Sequence, residues 1–184
     1  MMCGKMLQFY YGLMHTGKST RLIERVQDHA TRYRVGVFKS RVDVRRGSDI
    51  SIRGVDTIPT DGLIDSESDL EAMFAPYDVV YVDEVHFVGV EQVEQMRRIA
   101  DKGTLVVCFG LSTDWQTHLF AASKRLIEIA DVAIGHACLD VACDECLAYD
   151  AAIVHKKTGG DASRIVEVGD VDIYKRVCWK CWNN

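Results

Sequence analysis

Residues 5–20 read KMLQFYYGLMHTGKST, and this stretch decides the fold. Met6 to Tyr11 is an apolar run that predicts a buried strand. It breaks at Gly12. The residues after the break, RLIERVQDHA, place Leu22, Ile23, Val26 and Ala30 at helical spacing. Between the two, Gly12, Leu13, Met14, His15, Thr16, Gly17, Lys18 and Ser19 fit the phosphate-loop pattern G-x-x-x-x-G-K-[ST] without a mismatch. The chemistry needs these residue types. Two glycines let the backbone curl so that successive N–H groups point inward at phosphate oxygens. A helix starting there adds its positive dipole end. Lys18 supplies a charge for the terminal phosphates, and the Ser19 hydroxyl is a Mg²⁺ ligand. A chance glycine turn is the bland alternative, and the strand before and the helix after weigh against it.

Composition bounds the rest. The chain has 184 residues, 48% hydrophobic and 27% charged, which is the balance of one soluble globular domain with at most a small appendage. No apolar run approaches the ~20 residues of a membrane span. The N-terminus lacks a basic-then-apolar leader layout, so the expected location is cytoplasmic and no membrane partner is expected. The net charge of −5 argues against a duplex nucleic-acid binder. Seven cysteines, an odd number, without an export signal favour a metal site over a disulfide framework.

Along the chain, strands are expected at 34–39, within 50–59, at 77–82, 104–110 and 131–135. Helices are expected at 65–75, capped by Ser66 or Ser68, and at 88–100 and 119–130. Strands that are apolar throughout and alternate with helices indicate an α/β fold: a parallel sheet covered on both faces, here with a P-loop. Residues 40–49 are polar and charged with little periodicity. They read either as a solvated loop or as a phosphate-edge segment offering Asp43, Arg45 or Arg53.

Val79-Val80-Tyr81-Val82-Asp83-Glu84 is an apolar strand ending in two acids. A carboxylate there sits at the carboxyl edge of the sheet, where ligands of open α/β sheets bind. Asp83 would hold Mg²⁺. Glu84 could take a proton from water, as in an ATPase, or from a substrate hydroxyl, as in a kinase. Isolated, such a pair can be a simple turn. With Val85 and His86 it also spells a helicase DExH box, but that reading requires a second RecA-like domain and a basic track.

Cys143-Asp-Glu-Cys146 and Cys178-Trp-Lys-Cys181 form two C-x-x-C pairs separated by 178 − 146 − 1 = 31 residues. Each pair can put two thiolates on a tight turn, and together they predict a closed, structural Cys₄ Zn²⁺ site with a hairpin or loop held between. Cys108, in an apolar strand, reads as a small core residue.

The order of phosphate loop, Asp-Glu after a later strand and terminal Cys₄ resembles the thymidine kinases of the zinc-containing, RecA-like type, across essentially the whole chain. Gly110-Leu-Ser-Thr-Asp-Trp-Gln-Thr-His-Leu-Phe120 is similar to that family's G-L-x-x-D-F-x-x-x-[PL]-F segment, and 164–174 is similar to the segment ending in its nucleoside-contacting tyrosine. The resemblance implies a P-loop domain over 1–136 and a zinc-ribbon-like lid or lasso over 137–184. It implies ATP and Mg²⁺ on Gly12 to Thr20, with Asp83 supporting the metal and Glu84 as general base. It also implies a nucleoside pocket of Met14, Phe87, Leu111, Trp115 and Phe120 closed by Tyr174, with thymidine or a related deoxynucleoside as partner, and a homotetramer. Ordinary packing is the alternative for Phe87, Leu111 and Phe120. The chain departs from the family where D-E-x-Q-F becomes Asp83-Glu84-Val85-His86-Phe87, where F-x-G becomes Trp115-Gln116-Thr117, at the lasso threonine near Ile153 or Val154, and at Gly169-Asp170. All four lie near the nucleoside or its lid. A P-loop ATPase whose zinc module grips nucleic acid or protein is the competing reading.

Overall fold

The computed structural model describes residues 6–42, 49–51, 57–135, 141–157 and 173–183. Asp43, Arg45, Arg53, Cys3, Cys138, His136 and Asp170 lie outside the described residues. The stretch that opens the chain becomes β1 (Met6–Gly12), and its neighbours explain its apolar character. It pairs with β7 (Leu105–Leu111) on one side and β8 (Val132–Gly135) on the other, parallel to both. The sheet continues from β7 through β6 (Val79–Asp83) and β2 (Val35–Ser40) to β5 (Gly62–Ile64), again all parallel. The order is β5-β2-β6-β7-β1-β8. All five residues of β6 are buried, as expected for a central strand covered on both faces.

The two faces separate by strand alternation. On one, α1 (Lys18–Ala30) lays Leu22, Ile23 and Val26 on Tyr10, Val37, Tyr81 and Phe109. On the other, α2 (Leu70–Phe74), α3 (Val90–Asp101) and α4 (Ala121–Ile129) cover Leu7, Phe9, Val80, Val82, Val106 and Cys108. Each fully buried leucine, valine or phenylalanine contributes roughly 1.5–3 kcal/mol. Because every strand runs the same way, the carboxyl ends of β1, β2, β6 and β7 share one edge.

Two short elements differ from expectation. The helix expected over 65–75 begins only at Leu70, and neither serine caps it. Asp69 does: its side chain accepts the Ala72 N–H at 3.2 Å. Ser68 instead closes a turn, accepting the Asp65 N–H and donating to Asp65 Oδ1, both at 2.9 Å. The edge strand β5 has three residues, too short to show a period. The 50–59 expectation is met by a two-residue ribbon, β3 (Ile50–Ser51) against β4 (Thr57–Ile58). Between the cysteine pairs stands a hairpin of β9 (Ile153–Lys156) and β10 (Tyr174–Val177). Cys108 lies in the core, as its surroundings predict, and burial raises its thiol pKa. Among the described residues no helix is long and apolar enough to cross a membrane.

Asp131 locks the start of β8 to β1 and α3. Its Oδ2 accepts the Leu7 N–H and an Arg97 N–H, each at 2.7 Å. Partial burial pushes its pKa up, but the Arg97 and Leu7 donors outweigh this and hold it below the ordinary value. A carboxylate with a depressed folded pKa contributes stability that is present above its unfolded pKa and lost as pH falls through the folded one. Asp131→Asn should therefore lower the melting temperature near neutral pH, and the gap from wild type should close as pH is taken from about 5 towards 2. Thermal melts of both proteins across that range check it.

Candidate active site and four-cysteine centre

The phosphate loop leaves the sheet between the carboxyl ends of its neighbours: Gly12 stands opposite Leu111 in the β1–β7 register. His15 and Gly17 have φ of 59° and 77°, so the chain turns through the left-handed region twice before α1 begins. A Cβ at Gly17 would meet nothing within 4 Å, so glycine is needed there for backbone conformation rather than for space. Thr16 Oγ1 donates to Leu13 O at 3.0 Å, and the Lys18 ammonium donates to the same carbonyl. Ser19 and Thr20 start the helix beside it. On the outer side of the loop, Gly17, Thr20, Arg21, Glu24 and Arg25 line an open cavity of about 650 Å³.

Across from the loop, β6 ends in Asp83, which is 5% exposed, and Glu84 follows in left-handed backbone at φ 50°, ψ 37°. That conformation costs a non-glycine residue roughly 1–2 kcal/mol. The Asp83 carboxylate accepts the Glu84 N–H at 3.0 Å and steadies the turn. The electrostatics tie this corner to the loop. Burial lowers the Lys18 pKa, while the charges of Glu84 and then Asp83 act to raise it. The charges of the cation and both acids thus act on one another at this edge of the sheet, with Asp83 buried and Lys18 and Glu84 half-buried. Sequence reasoning missed a buried lysine beside them: Lys39, 5% exposed, pairs with Asp83 in the β2–β6 register. Its signal was a lysine inside an otherwise apolar strand.

The residues expected to line a nucleoside pocket fall into two half-buried groups. Phe87 and Phe120 meet edge-on, with ring centroids 5.9 Å apart, and both flank His86 at 3.9 and 4.7 Å. His86 is only 3% exposed, and its Nδ1 accepts the Leu111 N–H at 3.1 Å, so that nitrogen carries no proton in this arrangement. The same Nδ1 lies 3.5 Å from Glu84 Oε2. His86, noted in the sequence only as a departure, is thus the hub joining Glu84, Phe87, Leu111 and Phe120. The second group is apolar: Leu13 and Met14 of the phosphate loop pack with Val141, Ala151, Val154 and Tyr174. Trp115 stands apart from both, with the Lys156 ammonium 5.6 Å from its ring centroid.

The four cysteines converge. One sulfur from each of Cys143, Cys146, Cys178 and Cys181 lies within 4.8 Å of the others. The Cys146 and Cys178 sulfurs are 3.8 Å apart, matching the roughly 3.8 Å edge of a tetrahedron with ~2.3 Å metal–sulfur bonds. Burial pushes the Cys143 thiol up, but the N–H groups of Cys146, Cys178 and Glu145 outweigh it and hold the pKa at about 6. Hydrogen bonds with Cys146 and Cys178 push Cys181 to about 12. Four thiolates this close need a cation between them, and the all-sulfur donor set suits a closed metal centre. Asp144 and Glu145 pair with Arg176 and Lys175, fastening the first knuckle to β10.

A parallel sheet, a phosphate loop after its first strand and an acidic pair at the neighbouring carboxyl edge define a P-loop nucleotide-binding protein, here with a four-cysteine module. Comparison narrows the class. The chain belongs to the thymidine kinase family, whose model matches residues 5–182, and it is accordingly an ATP-dependent phosphotransferase of the deoxynucleoside kinase kind. It is 29% identical to a thymidine kinase of Chromobacterium violaceum over 97% of this chain and 98% of that one. It is 32% identical to a thymidine kinase of Encephalitozoon cuniculi over 96% of this chain and 86% of the relative. A thymidine kinase of Novosphingobium aromaticivorans is 31% identical over 94% and 93%.

Gly110 lets the turn 85–87 sit against β7. A Cβ there would lie 3.1 Å from both His86 Nδ1 and Val85 Cγ1, and 3.2 Å from the His86 backbone nitrogen. Gly110→Ala should destabilise the fold by about 1–3 kcal/mol, read by denaturant unfolding, because neither turn nor strand can yield freely.

Proposed function

We propose that the chain is a thymidine kinase that transfers the ATP γ-phosphoryl group to the 5′-hydroxyl of thymidine. The observation carrying this is the interaction of the Lys18 charge with Glu84 and Asp83, with Phe87 and Phe120 held around His86 next to Glu84. The N–H groups of the 12–20 loop cradle the phosphates, and Lys18 neutralises charge on the β- and γ-oxygens. Ser19 and Asp83 would hold Mg²⁺, which would supply charge to offset that developing on the phosphate oxygens. Glu84 accepts the hydroxyl proton. Its left-handed backbone turns it off the strand. Phosphoryl transfer asks little covalent chemistry of the protein, so positioning and charge supply most of the acceleration.

Met14, Phe87, Leu111, Trp115 and Phe120 form the nucleoside walls, and Tyr174 closes them from the module of residues 137–184. Zn²⁺ on Cys143, Cys146, Cys178 and Cys181 holds that module's two knuckles together. A cytoplasmic homotetramer is the form in which this enzyme works.

Transfer of labelled phosphate from ATP to the four natural deoxynucleosides and deoxyuridine tests the reading. Thymidine is expected to be the best acceptor, and transfer to none of the five would refute it. Glu84→Gln should retain ATP binding while phosphoryl transfer falls at least ~100-fold, the scale of a lost general base. Near-normal turnover in that variant would remove Glu84 from the role. Cys178→Ser should abolish stoichiometric zinc by elemental analysis and lower the melting temperature, since a structural site contributes folding energy directly.

A further inference from the structure

His86 stands between Glu84 and the end of β7. It is buried, and the rings of Phe87 and Phe120 lie against its own, with centroids 3.9 and 4.7 Å away. Its orientation is fixed from β7. Nδ1 accepts the Leu111 N–H at 3.1 Å, and Leu111 is held in turn by Ser123, whose Oγ donates to the Leu111 carbonyl at 2.6 Å. Gly110 leaves room for this: a Cβ there would lie 3.1 Å from Nδ1. An imidazole nitrogen that accepts is the unprotonated one, so the ring proton belongs to Nε2. The same Nδ1 lies 3.5 Å from Glu84 Oε2. At this contact the carboxyl group meets a lone pair, which repels an ionised carboxylate and accepts from a protonated one.

We propose that His86 is a positioning residue for Glu84: its Nδ1 accepts the O–H of the Glu84 carboxylic acid once Glu84 has taken the proton of the nucleoside hydroxyl. This rests on Glu84 acting as general base, as proposed above. In that step the 5′ O–H bond breaks and its proton forms the Glu84 O–H. The electron pair left on the 5′ oxygen forms the bond to the γ-phosphorus as the bond to ADP breaks. His86 itself gains no proton. Closing Oε2 on Nδ1 from 3.5 Å to about 2.8 Å completes the hydrogen bond. The other charges around the turn 85–87 come from the elements packed on it. Lys18 acts on Glu84 and Asp83, and Lys39 on β2 lies in register with Asp83. Among the described residues β7 offers only the buried Cys108 thiol; on α4, Lys124 is exposed and Arg125 pairs with Glu94 and Glu128. These groups are the same whichever residue stands at 86, so a substitution there isolates the hydrogen bond.

The test is the pH dependence of single-turnover phosphoryl transfer to thymidine by full-length wild type and His86→Gln. The glutamine carbonyl can accept the Leu111 N–H as Nδ1 does, and its amide then turns a donor towards Glu84 in place of a lone pair. A donor favours the ionised carboxylate, so activity should persist to lower pH in His86→Gln, with its acid limb about one pH unit below that of wild type. A merely structural role would lower the rate by the same factor at every pH. Coincident acid limbs would overturn this inference while leaving the kinase reading intact. An acid limb that survives Glu84→Gln would remove Glu84 as the base and overturn both. A second measurement needs no variant to fold: ¹⁵N shifts of the His86 ring in wild type should report an unprotonated Nδ1 and a protonated Nε2 near neutral pH. A proton on Nδ1 would equally overturn the inference.

Discussion

A lysine ammonium whose charge acts on two carboxylates at one edge of the sheet is the constraint on which the rest of this structure depends. Such charges are costly to bury unless each finds an opposite partner or a ligand. Here Lys18 comes from the start of α1, while Asp83 and Glu84 come from the end of β6. Only a parallel sheet brings those two chain segments to the same edge, because every strand must then end on the same side. The helices covering both faces follow from that choice, since a parallel sheet has no solvent face.

The corner is also where the backbone departs from easy geometry. His15, Gly17 and Glu84 all have positive φ. The first two curl the loop, and the third turns a carboxylate off its strand. The strained backbone of His15 and Glu84 persists only where surrounding structure overdetermines it. Asp83 accepting the Glu84 N–H, and Gly110 admitting the turn at 85–87 against β7, are the local means.

Much of this was legible in the residues. The phosphate loop, the acid-terminated strand and the paired cysteines announce themselves because their chemistry demands fixed residue types at short spacing. The long apolar strands and the amphipathic helices read well for the same reason: period and length are local. What escaped was short or non-local. β5 has too few residues to alternate, and α2 is preceded by Ser66, Ser68 and Asp69, of which the sequence pointed to the serines and the structure uses Asp69. Lys39 and His86 acquire meaning only from partners far along the chain, at Asp83 in one case and at Leu111 in the other. No spacing rule reports a histidine ring wedged between Phe87 and Phe120. The approach of Lys156 to Trp115 is equally hidden, being 41 positions apart (156 − 115 = 41).

The apolar seam of Leu13, Met14, Val141, Ala151, Val154 and Tyr174 carries a consequence of its own. It welds the floor that would meet one reactant to the cover that would meet the other. Two binding events that draw on the same packed side chains are thermodynamically linked, and the linkage works equally in both directions. On the proposed function, occupying the floor would alter how readily the cover seats, and seating the cover would alter the grip of the floor by the same factor. Cooperation between the two reactants would then run through these six apolar side chains.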